Sequence, residues 1–303
     1  MINFAMKYNM DLEIIIDPGA GPCFGVSRAI QLAENILNEE SELACLGDLI
    51  HNKTEIDRLI QKGLKSIGHC QIVEQSKKKL LFRAHGEPTS TYRIAETFEV
   101  TIVDATCPIV KQLQEIVAQE CAKMKKVNGQ LVLFGDINHA EVIGLKARCD
   151  GKIGIVRNPK DLETIQTAKP TVFISQTTKF QSDYNKLITA FKQKRKTDQT
   201  EHYPFKAVNS VCKQVAKRDK QLKIFLKDLD LLLFVSDPKS SNGNELFKIA
   251  KRKLPNSFFI SSPDEMEKIW FKQGQKVGIS GATSTPIWLL EETANRLKEM
   301  FRE

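Results

Sequence analysis

Short apolar runs alternate along this chain with longer stretches in which apolar residues recur every three or four positions. Leu12-Glu13-Ile14-Ile15-Ile16, Val100-Thr101-Ile102-Val103 and Phe205-Lys206-Ala207-Val208 are runs of strand length, and each leads through a short turn into a helix-like stretch. The same succession recurs from one end to the other, which predicts α/β architecture with largely parallel sheets. Nine junctions of this kind can be counted, with polar ends at Pro22-Cys23, His51-Asn52, His85-Gly86, Thr106-Cys107, His139 with Glu141, Gln176-Thr177-Thr178, Val211-Cys212, Ser240-Ser241-Asn242 and Ser284-Thr285-Pro286. They fall into three groups of three, each headed by a cysteine, and so describe an internal repeat of roughly a hundred residues.

That repeat changes the reading of the cysteines. A lone cysteine in such a chain is ordinarily a small buried hydrophobe. Cys23, Cys107 and Cys212 instead share one setting: a strand, a turn, a thiol and a helix start. A thiolate at a helix N-terminus is stabilised by the dipole and by unsatisfied N–H groups, which suits it to hold a metal centre. Open α/β sheets place ligands beyond the carboxyl ends of their strands. Three repeats turned toward one centre would bring together three thiols, the histidines His51, His85 and His139, a carboxylate and several hydroxyls and amides. Three cysteines cannot complete a cubane, which takes four protein ligands, so an iron–sulfur cluster held by them keeps one iron open to water, substrate or another side chain. A zinc site is the runner-up, although the short Cys-x-x-Cys spacings usual in structural zinc sites are missing.

The remaining polar junctions suit an anion. His51, His85 and His139, with Ser240, Ser241, Asn242 and Ser284 and the helix N-termini, offer the donors that hold a phosphate or diphosphate. For each serine or threonine alone, turn formation or helix capping explains the position, whereas histidine is not a favoured cap. Lys239-Ser240-Ser241-Asn242-Gly243 lacks the Gly-Lys-Ser/Thr of a Walker loop, which disfavours a nucleotide. Glu141 has two readings from local sequence: a proton relay in an enclosed site, or an acidic residue in the first turn of a helix.

Composition narrows the class. The 303 residues exceed a single typical domain, and 41% hydrophobic with 27% charged residues is ordinary for a globular chain. The net charge of +8 comes from scattered lysines in short clusters without interleaved aromatics, so a nucleic-acid partner is not expected. A small anionic substrate, or an acidic protein docking by charge, fits the balance at least as well. No apolar run approaches a membrane span, and Met1 to Met10 lack the features of a secretory signal, so a cytoplasmic protein is expected. Seven cysteines, an odd number, argue for reduced thiols, with Cys45, Cys70, Cys121 and Cys149 read as buried or incidental. His69 and His202 lack the strand-end setting. Lys192 to Glu201 reads as a linker after a helix ending near Phe191, and the residues before Asp11 read as loosely ordered.

Eight stretches together resemble one family, 4-hydroxy-3-methylbut-2-enyl diphosphate reductase. They are Cys23-Phe24-Gly25-Val26, His51-Asn52, Ala84-His85-Gly86, Asp104-Ala105-Thr106-Cys107-Pro108, His139-Ala140-Glu141-Val142, Gln176-Thr177-Thr178, Lys239-Ser240-Ser241-Asn242 and Ala282-Thr283-Ser284-Thr285-Pro286. The resemblance implies three similar α/β domains in a pseudo-threefold arrangement around a central 4Fe-4S cluster, one per chain, held by Cys23, Cys107 and Cys212. The domains would cover 24–107, 108–208 and 209–303, the last joined by the N-terminal strand 11–23. It further implies reductive loss of the allylic hydroxyl of 4-hydroxy-3-methylbut-2-enyl diphosphate, giving isopentenyl and dimethylallyl diphosphate in the methylerythritol phosphate pathway. Glu141 would then serve the proton relay with Thr177 nearby. His51, His85, His139, Ser240, Ser241, Asn242 and Ser284 would clasp the diphosphate, with His139 also near the hydroxyl. Ferredoxin or flavodoxin is the implied electron donor; the competing reading is a zinc-dependent hydrolase of a phosphorylated substrate. Two stretches depart from the family pattern: Pro22 replaces a common aromatic residue, and Ser210-Val211-Cys212-Lys213-Gln214 matches only loosely.

Overall fold

The computed structural model describes residues 11–302. The expected loose N-terminus before Asp11 lies outside the described residues. In chain order the elements are β1 (Glu13–Ile16), α1 (Phe24–Glu39), β2 (Leu43–Leu46), α2 (Lys53–Gln61), β3 (Leu64–Ile67), β4 (Lys79–Phe82), α3 (Thr89–Thr97), β5 (Thr101–Asp104), α4 (Pro108–Lys126) and β6 (Gln130–Phe134). There follow α5 (Ala140–Ala147), β7 (Gly154–Val156), β8 (Thr171–Ser175), α6 (Gln181–Thr197), β9 (Phe205–Ala207), α7 (Lys213–Phe225), β10 (Leu231–Val235), α8 (Ser241–Lys253), β11 (Ser257–Ile260), β12 (Lys276–Gly281) and α9 (Ile287–Met300).

The strands form three four-stranded parallel sheets, ordered β3-β2-β4-β5, β7-β6-β8-β9 and β11-β10-β12-β1. The order is the same in each, and the strand at one edge (β5, β9 or β1) is the one that leads to a cysteine. Each of the nine predicted junctions joins a strand to a following α-helix. The three strands outside that pattern, β3, β7 and β11, occupy the opposite edges and lead into short 3-10 segments. Central strands such as β10, with Leu-Leu-Leu-Phe-Val buried at every position, have the continuous apolar runs of a sheet covered on both faces.

By internal contacts the chain divides into two compact units. One contains residues 24–50 and 58–216, with the sheets β3-β2-β4-β5 and β7-β6-β8-β9. Its cores include the buried Leu46, Leu80 and Phe82 against the first sheet, and Phe134, Phe173, Tyr184 and Phe191 against the second. The other contains 11–23, 51–57 and 217–302 and the sheet β11-β10-β12-β1, packed through Leu231, Leu233, Ile279 and Leu290. None of the described helices is long and apolar enough to cross a membrane.

Two sequence expectations are corrected. Lys192 to Glu201 is not a linker throughout, because α6 continues to Thr197. Its basic last turn suits the negative end of the helix dipole. Arg195, 4% exposed, turns back to donate to the carbonyls of Thr200 (2.9 Å), Glu201 (3.1 Å) and Tyr203. The expectation of reduced thiols throughout also fails at one pair: Cys121 and Cys149 form a disulfide with Cα atoms 5.7 Å apart. Cys121 lies on α4 and Cys149 just beyond α5, and both belong to the core against β6 and β8. Tertiary packing brings the two sulfurs together across 28 residues without a local spacing signal.

Phe173 lies fully buried between Phe191 and Phe205, with ring centroids 4.7 and 5.4 Å away. Phe173→Ala is therefore expected to cost about 3–5 kcal/mol in chemical unfolding. Ile269, 85% exposed, provides the contrast: its replacement by alanine should change stability by less than about 0.5 kcal/mol.

Candidate functional site

Within the larger unit, Cys107 is the N-cap of α4, with Pro108 in the first helical position where no N–H is needed. Cys212 lies immediately before α7, its N–H donating to the carbonyl of Thr177 (2.9 Å) at the end of β8. Both thiols are half-buried. Burial pushes the Cys107 thiol up, Cys212 and Glu141 act in the same direction through their charge, and the amides of Ile109 and Val110 oppose them. A thiol whose ionisation is disfavoured by both a second thiol and a carboxyl sits in a setting that a cation would relieve.

Gly25 shows how closely α1 approaches this set. A Cβ there would lie 2.7 Å from Cys107 Sγ, so a side chain would fill the space the sulfur occupies. The N–H of Phe24, the residue after Cys23, donates to Oε1 of Gln214, two residues after Cys212 (3.2 Å). The first turns of α1, α4 and α7 thus meet.

Glu141 lies in the first turn of α5 and is 1% exposed. Its Oε1 accepts from Thr177 N (2.7 Å) and its Oε2 from Thr177 Oγ1 (2.8 Å). Burial raises its pKa to about 7 against these two bonds. The carboxyl therefore holds a titratable proton near neutral pH in a position closed to water. Glu141 is thus a residue of the first helical turn and is enclosed.

His139 caps α5 after all, because its Nδ1 accepts from Glu141 N (3.1 Å). That bond requires Nδ1 to be unprotonated and leaves Nε2 as the donor nitrogen. The ring of His85 stands edge-on to it, with centroids 5.4 Å apart. The His85 turn is fixed by Gly86 at φ +77°, where any side chain would be strained, and by fully buried Glu87, which accepts from Arg83 Nε (2.6 Å). His69, given no role from sequence, lies with Nε2 2.9 Å from the other oxygen of Glu87.

Within the smaller unit, Ser240 caps α8, its Oγ accepting from Gly243 N (3.1 Å) and lying 3.2 Å from Ser284 Oγ. Ser241 and Asn242 form the first helical turn of α8. Asn242 Oδ1 accepts from both N and Oγ1 of Thr283 (3.0 Å each), which leaves its buried Nδ2 as a donor with no partner among the described residues. The Cys23 N–H donates to the Thr283 carbonyl (2.9 Å). The His51 turn is set by Asp237, which sequence reasoning missed: its oxygens accept from Lys53 N (2.8 Å) and Lys239 N (2.7 Å). An aspartate two residues past β10 carries no motif that separates it from a turn former.

The structure thus brings Cys107, Cys212, Glu141, Thr177, His85 and His139 to strand ends of the larger unit. It brings Cys23, Ser240, Ser241, Asn242 and Ser284 to strand ends of the smaller one, which also holds His51.

The LytB protein family matches the chain over residues 14–298. A protein of Parabacteroides distasonis named 4-hydroxy-3-methylbut-2-enyl diphosphate reductase is 38% identical over 289 residues, 95% of this chain and 98% of that one. A solved structure of (E)-4-hydroxy-3-methyl-but-2-enyl diphosphate reductase, described as the terminal enzyme of the non-mevalonate pathway, is 29% identical and superposes with a TM-score of 0.68 over 95% of this chain and all of that one. The corresponding reductase structure from Plasmodium falciparum, at 24% identity, shares the fold with a TM-score of 0.82, covering 97% of this chain and 90% of that one.

The raised pKa of Glu141 carries a stability prediction for the metal-free chain. Unfolded, the carboxyl releases its proton near its ordinary 4.5; folded, it keeps it to about 7. Its stabilising contribution is thus complete below pH 4.5 and is lost as pH rises through about 7, a swing of about 3 kcal/mol. Chemical unfolding of Glu141→Gln at several pH values should show the variant gaining on the parent across that window and keeping a constant advantage above it.

Proposed function

Because the chain belongs to the LytB protein family, we propose that it converts 4-hydroxy-3-methylbut-2-enyl diphosphate to isopentenyl and dimethylallyl diphosphate. It is an iron–sulfur oxidoreductase of the methylerythritol phosphate route to isoprenoids. The balance is two electrons and two protons in, with the allylic C–O bond broken, a C–H bond formed and water released. The observation that carries the reading is the buried Glu141, bonded to Thr177 and within electrostatic reach of the Cys107 thiol.

The donor set fits a cluster. Cys212 acts on the Cys107 thiol through its charge, glycine at 25 leaves room at the Cys107 sulfur, and Cys23 directly precedes Phe24, whose amide is tied to Gln214. These contacts support Cys23, Cys107 and Cys212 as the three ligands of one 4Fe-4S cluster per chain. When bound, such a cluster supplies electrons singly and an iron position that no protein group fills. Acidic carriers such as ferredoxin or flavodoxin suit a chain of net charge +8 as electron donors.

The chain's own residues do the rest. Glu141 holds a proton at the carboxyl and Thr177 orients it through Oγ1, so that it can be delivered where the hydroxyl leaves or where the new C–H bond forms. His139 presents Nε2 because its Nδ1 is occupied by the α5 amide. Ser240, Ser241, Asn242 and Ser284 surround the N-terminus of α8, whose amides and dipole favour the diphosphate; His51 and His85 add further donors. Burial of Glu141, Thr177, Ser240, Asn242 and Ser284 keeps water from these groups, which strengthens each charge-assisted bond and protects an allylic species from side reactions. The zinc-dependent hydrolase alternative has no observation in its favour.

Anaerobic purification should yield a coloured protein containing iron and acid-labile sulfide, with a visible spectrum that changes on adding the diphosphate substrate. Cys23→Ser, Cys107→Ser and Cys212→Ser should each lose cluster and activity; a colourless, active protein with stoichiometric zinc would overturn the assignment. Glu141→Gln should keep iron content and the substrate-induced spectral change while turnover falls by about a hundredfold or more, the scale of a lost general acid.

A further inference from the structure

Arg218 stands six residues after Cys212 on α7 and is 2% exposed. Its Nη2 donates to Asp17 Oδ2 (2.5 Å), to Ser280 Oγ and to the Gly281 carbonyl (3.3 Å). Ser280 Oγ donates in turn to Asp17 Oδ2 (2.8 Å). The other two guanidinium nitrogens, Nε and Nη1, are buried with no hydrogen-bond partner among the described residues. A buried ion pair satisfied at one nitrogen of three is an expensive way to stabilise a fold, since apolar groups of similar volume often do as well. Its value lies in what it holds in place.

What it holds are two chain segments of the proposed site. Asp17 follows β1 and organises the loop to Cys23: its Oδ1 accepts from Gly19 N (2.8 Å) and its carbonyl from Ala20 N (3.0 Å). Ser280 and Gly281 end β12, from which the chain runs to Thr283 and Ser284. The two segments meet again where Cys23 N donates to the Thr283 carbonyl (2.9 Å), and Thr283 is gripped by Asn242. The internal repeat offers a parallel. Arg28, five residues after Cys23 on α1, donates to the carbonyls of Asp104 (3.3 Å) and Thr106 (3.5 Å), on the approach to Cys107. In two of the three repeats, then, a helix that follows one cysteine carries an arginine gripping the approach to another.

We infer that Arg218 is a positioning residue that locks the Asp17–Cys23 loop and the Gly281–Ser284 turn into one frame, fixing the Cys23 thiol relative to the Ser284 and Asn242 donors. That these groups hold cluster and substrate rests on the function proposed above. The frame itself does not.

The test compares the parent with Arg218→Lys, Arg218→Met and the double variant Asp17→Asn/Arg218→Met, which removes both charges and so avoids stranding a buried carboxylate. In the metal-free chain, amide exchange at Gly19, Ala20, Cys23 and Thr283 should be about tenfold faster in the double variant at unchanged unfolding midpoint, and intermediate in Arg218→Lys, which keeps the charge but not the reach of the Nη2 nitrogen. In the iron-loaded proteins, a chelator should remove iron faster in the same order, and KM for the diphosphate should rise. Parental exchange rates at those four amides in the folded double variant and in Arg218→Met would overturn the inference. A parent that takes up no iron would instead overturn the proposed function, leaving the exchange result to decide the role of Arg218.

Discussion

A parallel strand is left at its carboxyl end, and the chain returns to start the next strand from the amino end of the sheet. This constraint places all nine polar junctions at the carboxyl edges of their own sheets and puts a helix N-terminus after each. Thiol, imidazole, carboxyl and hydroxyl groups are therefore presented together with unsatisfied amides and the positive ends of helix dipoles. The three sheets repeat one strand order, and the strand leading to a cysteine takes the same edge position in each. The chemistry of the site is in this sense a property of the topology, and side-chain identity selects what each junction does.

The larger unit shows how selection works at close range. Glu141 is enclosed with two bonds from Thr177 and, among the described residues, no cation bonded to it, so burial dominates and the carboxyl keeps its proton to about pH 7. The bonds from Thr177 favour ionisation, yet desolvation outweighs them. The same sparing use of charge appears at His139, whose ring caps a helix through one nitrogen and is thereby committed to offering the other. Asp237, Glu87 and Gly86 have no chemical task in this scheme, but they fix the turns that carry His51 and His85.

The disulfide between Cys121 and Cys149 joins α4 to the segment that follows α5, so the helix capped by Cys107 and the helix bearing Glu141 share a covalent tie far from their N-termini. Together with the arginines on α1 and α7, it shows where the fold spends its rigid connections: on the helices that follow the site's junctions. Glycine at position 25 serves the same end by omission, since its lack of a side chain lets α1 come against the Cys107 sulfur.

The order of the junctions, the three cysteines at their heads and the α/β class were legible in the amino-acid sequence, because short apolar runs ending in turn residues are local patterns. So was the placement of His51, His85, His139, Ser240 and Ser284 at those junctions, since each follows a strand-length run. The edge strands β3, β7 and β11 were not, because they are short and lead into no α-helix; the extension of α6 was hidden by a lysine-rich turn that reads as loop. The pairing of Cys121 with Cys149, the cap made by His139, the supports Asp237 and Glu87, and the Asp17–Arg218 pair were decided only by tertiary structure. Each depends on groups brought together by packing, or on how far burial shifts the balance between a charged and a neutral side chain, and no spacing along a chain records either.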